Sequence, residues 1–524
     1  MPSVFRGPQG IIVTAVVAVA GALVAAAILF ASGKASDVNL TTANLVPADA
    51  GVYIALNTDL SSSQWVSTFK LVEKLGAENP EGELKDGAEE SGFDWEDDIA
   101  PFLGGNAAVY IRGLDIDAFS AQGAVILRAR NPGRVMEILE EQAGIVDEDE
   151  YSGVEFLVLG LDGYAARLGD HVVIAMDEAS LEEVIDVYQG KAPSLADVED
   201  FKKLRDELTG NFLGFVYISA ESLLGDFFLD DPVVRAALDQ SGAGDMVFRP
   251  AAWVIGAKKG GFEFQAASIG DSGSISPMLQ PRESRFAALV PGETAIFFST
   301  TGIAQAWEAV VVEAREAIDD AIRQSGDYNS LDDALQEAGR ELGIESIEEL
   351  VTLFEGETAI AAWFPSGNSN DPEVVLLSEV DASRARAVVE KVVASNATGP
   401  GESRQVGGVE MTVFDDVGGD PLAYAFKNGD MVMGTPGGVE AVLSMSPGQP
   451  SLAQLNRYSE TVKQMPSALG TYAFFNLGAL FRLEEASGVP AVLDQAERAL
   501  EGLIINAVDE RGVVRLSGVL TIEE

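Results

Sequence analysis

Set against itself at an offset of about 240 to 260 residues, the chain from residue 45 onward repeats its segments in the same order, which predicts two like folding units in tandem. Val46-Pro47 ahead of a predicted strand at 52–56 answers Val290-Pro291 ahead of one at 295–299, and each strand leads to a helix bearing a tryptophan, Trp65 or Trp307. FLGGNAAVYI at 102–111 answers LFEGETAIAA at 353–362, and AVILRA with the helix after Asn131-Pro132 answers VVLLSEV with the helix after Asp381. GVEFLVL at 153–159 answers GVEMTVF at 408–414, and GDHVVIAM at 169–176 answers GDMVMGT at 429–435. APSLADVEDF with QPSLAQLNRY, LGFVYIS with LGTYAFF, and GFEFQAAS with GVVRLSGV complete the series. The units are set at 45–270 and 289–524, with a linker at 271–288 that contains the polar stretch DSGSISPMLQPRES; its Gly, Ser and Pro suit a connection.

Within each unit the apolar runs are short, rich in Val, Ile, Phe and Tyr, and separated by Gly, Asn or Asp, the pattern of hairpins rather than of parallel crossovers. LDG before Tyr164 and Gly169-Asp170 before His171 are the clearest turns. Asn131 followed by Pro132 is a cap and first helical residue, with Val135, Ile138, Leu139 and Ala143 forming one apolar face. Ser180 and Glu183 have capping-box spacing ahead of Val184, Ile185 and Tyr188. Strand, helix, three strands, helix, strand reads as α+β: in each unit a mainly antiparallel sheet with helices on one face. Trp65, Trp307, Phe69 and Val72 are core candidates before they are ligand-binding ones.

Ahead of the units, residues 10–31 carry no charge and are apolar apart from Thr14. Those 22 residues make a helix of roughly 33 Å, matching the ~30 Å hydrocarbon layer. This predicts a transmembrane signal anchor, preceded by a short tail at 1–9 and followed by a linker at 32–44. The competing reading is a cleaved signal peptide, whose apolar region runs ~7–15 residues and for which Ala31-Ser32-Gly33 supplies small residues. Arg6 and Lys34 nearly balance the positive-inside comparison. Export of the bulk of the chain is expected because no other stretch approaches 18 apolar residues without a charge.

Composition removes several function classes. With 34 Lys and Arg against 83 Asp and Glu, the net charge is −49, and a nucleic-acid partner is excluded because phosphate binding needs a cationic footprint. Cysteine is absent and His171 is the one histidine, so disulfides, thiolate catalysis and Cys/His zinc sites do not arise. No nucleophile elbow, Walker loop or dinucleotide fingerprint occurs. Accordingly no catalytic, cofactor-binding or metal-ligating residue is predicted. His171 starts a predicted strand with Met431 as its repeat counterpart, which favours a structural role. Asp94, Asp97 and Asp98 beside Trp95, and Glu345, Glu348 and Glu349 opposite them, read as acids at helix starts, where the backbone dipole favours negative charge. A carboxylate pair or an occasional cation site is the alternative for these clusters. Asp147-Glu148-Asp149-Glu150 reads as a solvated acidic loop. Self-repulsion at −49 destabilises the compact state at low ionic strength. The melting temperature is therefore expected to rise with added NaCl or calcium; calorimetry showing no response to either would count against a crowded acidic surface.

The opening LVPADAGVYIALNTD after the apolar run, then GFDWEDDIAPFLGGNAAVYI, NPGRVMEILEE and APSLADVEDF, resembles the bacterial domain-of-unknown-function family 3352 over most of the chain beyond the anchor. The resemblance implies a bacterial envelope protein and supplies no activity, cofactor or functional residue. The leading expectation is a membrane-anchored extracytoplasmic protein, non-enzymatic, that binds an envelope protein or ligand, touches the bilayer through residues 10–31 and has a weak calcium or salt dependence. The alternatives are a carboxylate-dependent hydrolase of an envelope glycan and an apolar-ligand carrier, which needs a cavity of ~300–1,000 Å³.

Overall fold

A computed structural model describes residues 40–115, 120–143, 145–159, 163–208, 210–219, 222, 249–258, 260–270, 272–325, 328–365, 372–446, 448–484 and 499–523. The predicted anchor at 10–31 lies outside them, and among the described residues no helix is long and apolar enough to cross a membrane. The chain divides into two compact units, 1–269 and 270–523.

In the first unit the strands are β1 (Val52–Asn57), β2 (Asn106–Asp115), β3 (Ser120–Arg128), β4 (Ile145–Tyr151), β5 (Val154–Leu159), β6 (Gly163–Leu168), β7 (His171–Ala175), β8 (Gly214–Ile218), β9 (Ala251–Lys258) and β10 (Gly261–Ile269). They pair antiparallel in the order β4-β5-β6-β7-β3-β2-β1-β8-β9-β10. The second unit has β11 (Ile296–Thr300), β12 (Thr358–Trp363), β13 (Glu373–Glu379), β14 (Glu402–Val406), β15 (Val409–Val417), β16 (Asp420–Lys427), β17 (Asp430–Gly434), β18 (Thr471–Asn476), β19 (Leu500–Glu510) and β20 (Val513–Ile522). Its antiparallel order, β14-β15-β16-β17-β13-β12-β11-β18-β19-β20, follows the same succession strand for strand.

The expectation of helices on one face is corrected by the second unit. Val432 of β17 packs with Val439 and Val442 of the helix Pro436–Ser444, whereas its neighbour Met431 packs with Val388 and Val389 of the helix Ala382–Asn396. Successive strand side chains point to opposite faces, so each face of this sheet has its own helix. Segments such as VLL at 375–377 lack polar alternation because helices pack on both faces of the sheet there. In the first unit Val172 shares a core with Val135 and Leu139 of the helix Pro132–Ala143, and the helix Glu178–Tyr188 packs on β3, β6 and β7.

Other local expectations also shift. The helix predicted to start at Ser180 starts three residues earlier: Asp177 is the cap, and its carboxylate accepts from the Ser180 amide at 2.8 Å and from the Ser180 hydroxyl at 2.6 Å. Asp has a cap preference equal to that of Ser, and here it outcompetes it. Asp147-Glu148-Asp149-Glu150 is not a loop but the exposed body of β4, paired on one side with β5. Closely spaced charge on an edge strand discourages pairing with another chain, which accounts for a strand so unlike a strand in composition. The stretch 271–288, expected as a linker, folds onto the second unit from Ser272: Gly273–Leu279 and Phe286–Ala288 are 3₁₀ turns, and Leu279, Phe286 and Ala287 are buried. Likewise Leu40–Asn44 is a 3₁₀ turn whose Thr42 and Ala43 are buried in the first unit.

Candidate functional site

Of the acids singled out by sequence near Trp95 and at 345–349, Asp94, Asp98 and Glu349 bond the backbone at helix starts. Asp98 accepts from the Asp94 amide at 2.9 Å, Asp94 accepts from the amides of Glu96 and Asp97 at 2.9 Å, and Glu349 accepts from the Glu345 amide at 3.1 Å. Glu349 also receives Lys391 at 2.7 Å, which holds its carboxyl below the usual range. The carboxylates of Asp94, Asp98 and Glu349 are thus engaged by local backbone and a lysine, and among the described residues no group of three or more acids or histidine is arranged to hold a metal ion. Trp65, Phe69 and Val72 are buried, the Trp65 indole donating to the Asn57 carbonyl at 2.9 Å, while Trp307 is half-buried.

His171 opens β7, but its counterpart is not Met431. His171 pairs across the hairpin with Leu168 and across the sheet with Arg128, and in the second unit the residue with those two places is Asp430, opposite Lys427 and Glu379. The hairpin turn Gly169-Asp170 and its counterpart Asn428-Gly429 differ by one position from the sequence match. Burial, and next the Arg128 charge, push the His171 imidazole below its usual 6.5. A depressed folded value means that the unfolded chain binds more protons near pH 6, so stability is full above about 6.5 and is lost as pH falls through the folded value. Urea unfolding between pH 5 and 7 should therefore show a shallower loss for His171→Gln, by less than one proton's worth.

That register uncovers the residues the sequence did not flag. In the second unit Glu357, Glu379 and Asp430 converge at the ends of β12, β13 and β17, and the segment before β11 brings two arginines to them. Arg285 donates to Asp430 through both guanidinium nitrogens, one at 2.9 Å, and Arg282 donates to Glu379 at 3.0 Å. The Ser284 hydroxyl donates to Glu357, which is fully buried. The Asp430 bond raises the Arg285 value, and the Arg282 bond lowers that of Glu379. The carboxylates are taken up in charge-assisted pairs with the arginines, which ties β12, β13 and β17 to the segment before β11.

The same positions in the first unit carry Asn106, Arg128 and His171. Around Arg128 lies a cavity of about 810 Å³, lined also by Thr41, Gly104, Gly105, Phe201 and Phe215. Gly105 is tightly packed where it stands: a Cβ there would meet the Arg128 carbonyl oxygen at 3.0 Å, and one at its counterpart Gly356 would meet Glu379 Cβ at 2.7 Å. The backbone thus presses against β3 and β13 in both units, holding residue 128 or 379 at the rim. The cavity floor is aromatic, with Phe201 edge-on to Phe215 at 5.6 Å and to Tyr217 at 5.3 Å. Arg128 is the missed residue, and the signal for it was in the alignment of AVILRA with VVLLSEV, where Arg stands opposite Glu.

No curated protein matches the chain. Among solved structures, TP0453 in crystal form I is 8% identical with a TM-score of 0.24, covering 46% of this chain and 81% of that one. Crystal form III gives 8% and 0.24 over 45% and 80%; a likeness of this size bears on neither fold nor function. The model of the family described as protein of unknown function (DUF3352) matches residues 11–503, and the chain belongs to that family.

Proposed function

We propose that this is a non-enzymatic binding protein of the bacterial envelope, built by duplication of one α+β unit and held at the membrane by residues 10–31 with its bulk outside. The observation that supports binding is the first unit's cavity of about 810 Å³, inside the ~300–1,000 Å³ range of ligand sites and lined by aromatic rings and a half-buried Arg128. The glycan-hydrolase alternative draws on the acids near Trp95 and at 345–349, and is weakened because Asp94, Asp98 and Glu349 are engaged by local hydrogen bonds and Lys391. The apolar-carrier alternative is weakened by the arginine at the rim.

Two measurements test the reading. Protease added to intact cells should degrade the chain; full protection would reverse its orientation. A photo-reactive residue at Thr41, on the cavity wall, should cross-link reproducibly to one class of envelope molecule in cells. Glycan turnover by the purified chain with no cross-linked partner would transfer the case to the hydrolase.

A further inference from the structure

We infer that residues 280–285 of the second unit form a clasp that opens on its own while the core behind it stays closed, and that its opening bares the Glu357 and Asp430 carboxylates. Two buried side chains pin its ends, Leu279 and Phe286. Between these pins lies Gln280-Pro281-Arg282-Glu283-Ser284-Arg285, none of which is buried. Among the described residues one backbone hydrogen bond ties the span to the sheet, from the Arg282 amide to the Leu469 carbonyl at 2.6 Å. Pro281 has no N–H to offer a second. The other contacts with the sheet end on side chains. Arg282 donates to Glu379 at 3.0 Å, Arg285 donates to Asp430 from both guanidinium nitrogens, and Ser284 donates to Glu357 and meets the Tyr472 hydroxyl. The Arg285 amide adds a bond to Glu357 at 3.3 Å.

Segments open locally in the order set by their buried apolar contacts and their shielded backbone bonds, and the clasp is poor in both. What closes it is charge. Arg282 and Arg285 keep 38% and 42% of their side-chain surface in water while paired, so they regain little hydration when the clasp lifts. The acids behind them do regain it, because the Asp430 side chain is 6% exposed and that of Glu357 0%. Opening therefore returns both members of each pair to water. Removing an arginine by substitution leaves its carboxylate buried and uncompensated, which is the costlier way to break the same contact.

The first unit shows that the sheet itself does not need these ions. It has the same strand order with Asn106, Arg128 and His171 in the places of Glu357, Glu379 and Asp430. The offset between Val46-Pro47 and Val290-Pro291 sets Thr41 in the place of Arg285. A ten-stranded sheet thus forms without a carboxylate at any of the three positions. In the second unit the acids and the two arginines act on the clasp, and the closed form conceals behind its guanidinium groups two carboxylates that the open form presents to solvent at the ends of β12 and β17.

The chain has no cysteine, so a single introduced thiol reports on its own site. Ser299→Cys places one behind the clasp, where Ser299 is buried and its hydroxyl donates to Glu357 at 3.3 Å; Ala361→Cys places one in the core, at a fully buried position of β12. Each full-length variant, in detergent, is exposed to a maleimide, and its labelling rate is divided by that of the same variant unfolded in urea. Ser299→Cys is expected to label roughly tenfold faster or more than Ala361→Cys, because the clasp opens more often than the core. Arg285→Gln should speed the Ser299→Cys site by a similar factor, and Arg285→Lys, which keeps the charge, by less. Val439→Ala thins the core beneath the helix Pro436–Ser444 and should speed Ala361→Cys while leaving Ser299→Cys unchanged. Equal rates at the two sites, a Val439→Ala effect of the same size at both, or no response of Ser299→Cys to Arg285→Gln overturns the inference. If Arg285→Gln unfolds the unit, the Arg285→Lys variant and the Val439→Ala comparison still decide it.

Discussion

Replacing Arg285 with methionine is expected to destabilise the second unit by about 2–4 kcal/mol, less than the ~3–5 kcal/mol of a wholly buried pair because the Arg285 side chain is 42% exposed. Its partners are what make the loss large. The Asp430 side chain is 6% exposed and that of Glu357 0%, so without the guanidinium two carboxylates sit in low dielectric with one arginine, Arg282, 3.8 Å from Glu357. Breaking one side of such a pair leaves charge uncompensated, whereas removing both sides does not. Arg285→Met combined with Asp430→Leu should therefore be more stable than Arg285→Met alone. Urea unfolding, with hydrogen exchange at the β17 amides to locate the loss, checks both points; a double variant less stable than the single would mean that Asp430 stabilises the unit through partners other than Arg285. Acid should act in the same direction. Arg282 holds Glu379 below its ordinary 4.5, so the cluster's contribution is present above that pH and disappears as pH falls through the depressed value.

The sheets were legible in the sequence because hairpins advertise themselves locally: Gly169-Asp170 and the turns around it space the strands, and register follows from the turn. Helix starts were legible to within a turn, as Asn131 shows, its side-chain Oδ1 accepting from the Arg134 amide at 3.2 Å. Three things were not. Faces were misjudged because a strand such as β17 is apolar on both sides, and alternation, the signal for a one-sided sheet, is then missing. β4 was read as a loop because its acids serve the edge rather than the strand. The ionic cluster and its inverted counterpart were invisible as motifs, since Arg282, Glu357, Glu379 and Asp430 come from four separate segments and meet only through β-pairing. A repeat carries one signal that a lone domain lacks: a position that changes charge between copies within matching strands. Arg128 against Glu379 is such a position.

The floor of the open cavity gives the second large effect. Phe201→Ala is expected to cost the first unit ~3–5 kcal/mol. Phe201 is fully buried and packs edge-on against Tyr53 at 5.8 Å, Phe215 at 5.6 Å and Tyr217 at 5.3 Å, so truncation removes one ring from a set of four and leaves a void. Its place in the helix Glu199–Glu207 also fixes the helix against β9 and β10. The loss should appear as faster hydrogen exchange at the β1 and β8 amides with β11 and β18 unchanged, because units with separate cores open separately. Equal acceleration in both would show that the cores unfold as one. Phe201→Tyr discriminates further. In the second unit the equivalent Tyr458 hydroxyl bonds Tyr472, but in the first the facing ring is Phe215, so the added hydroxyl has no such partner and costs ~1–3 kcal/mol if it stays buried. Tyr458→Phe removes one member of a hydroxyl pair whose other member keeps Ser284, and should cost about 1 kcal/mol or less. The two substitutions exchange the same atom at matched places, and the inequality between them follows from Tyr472 and Ser284 in the second unit, where the first has Phe215.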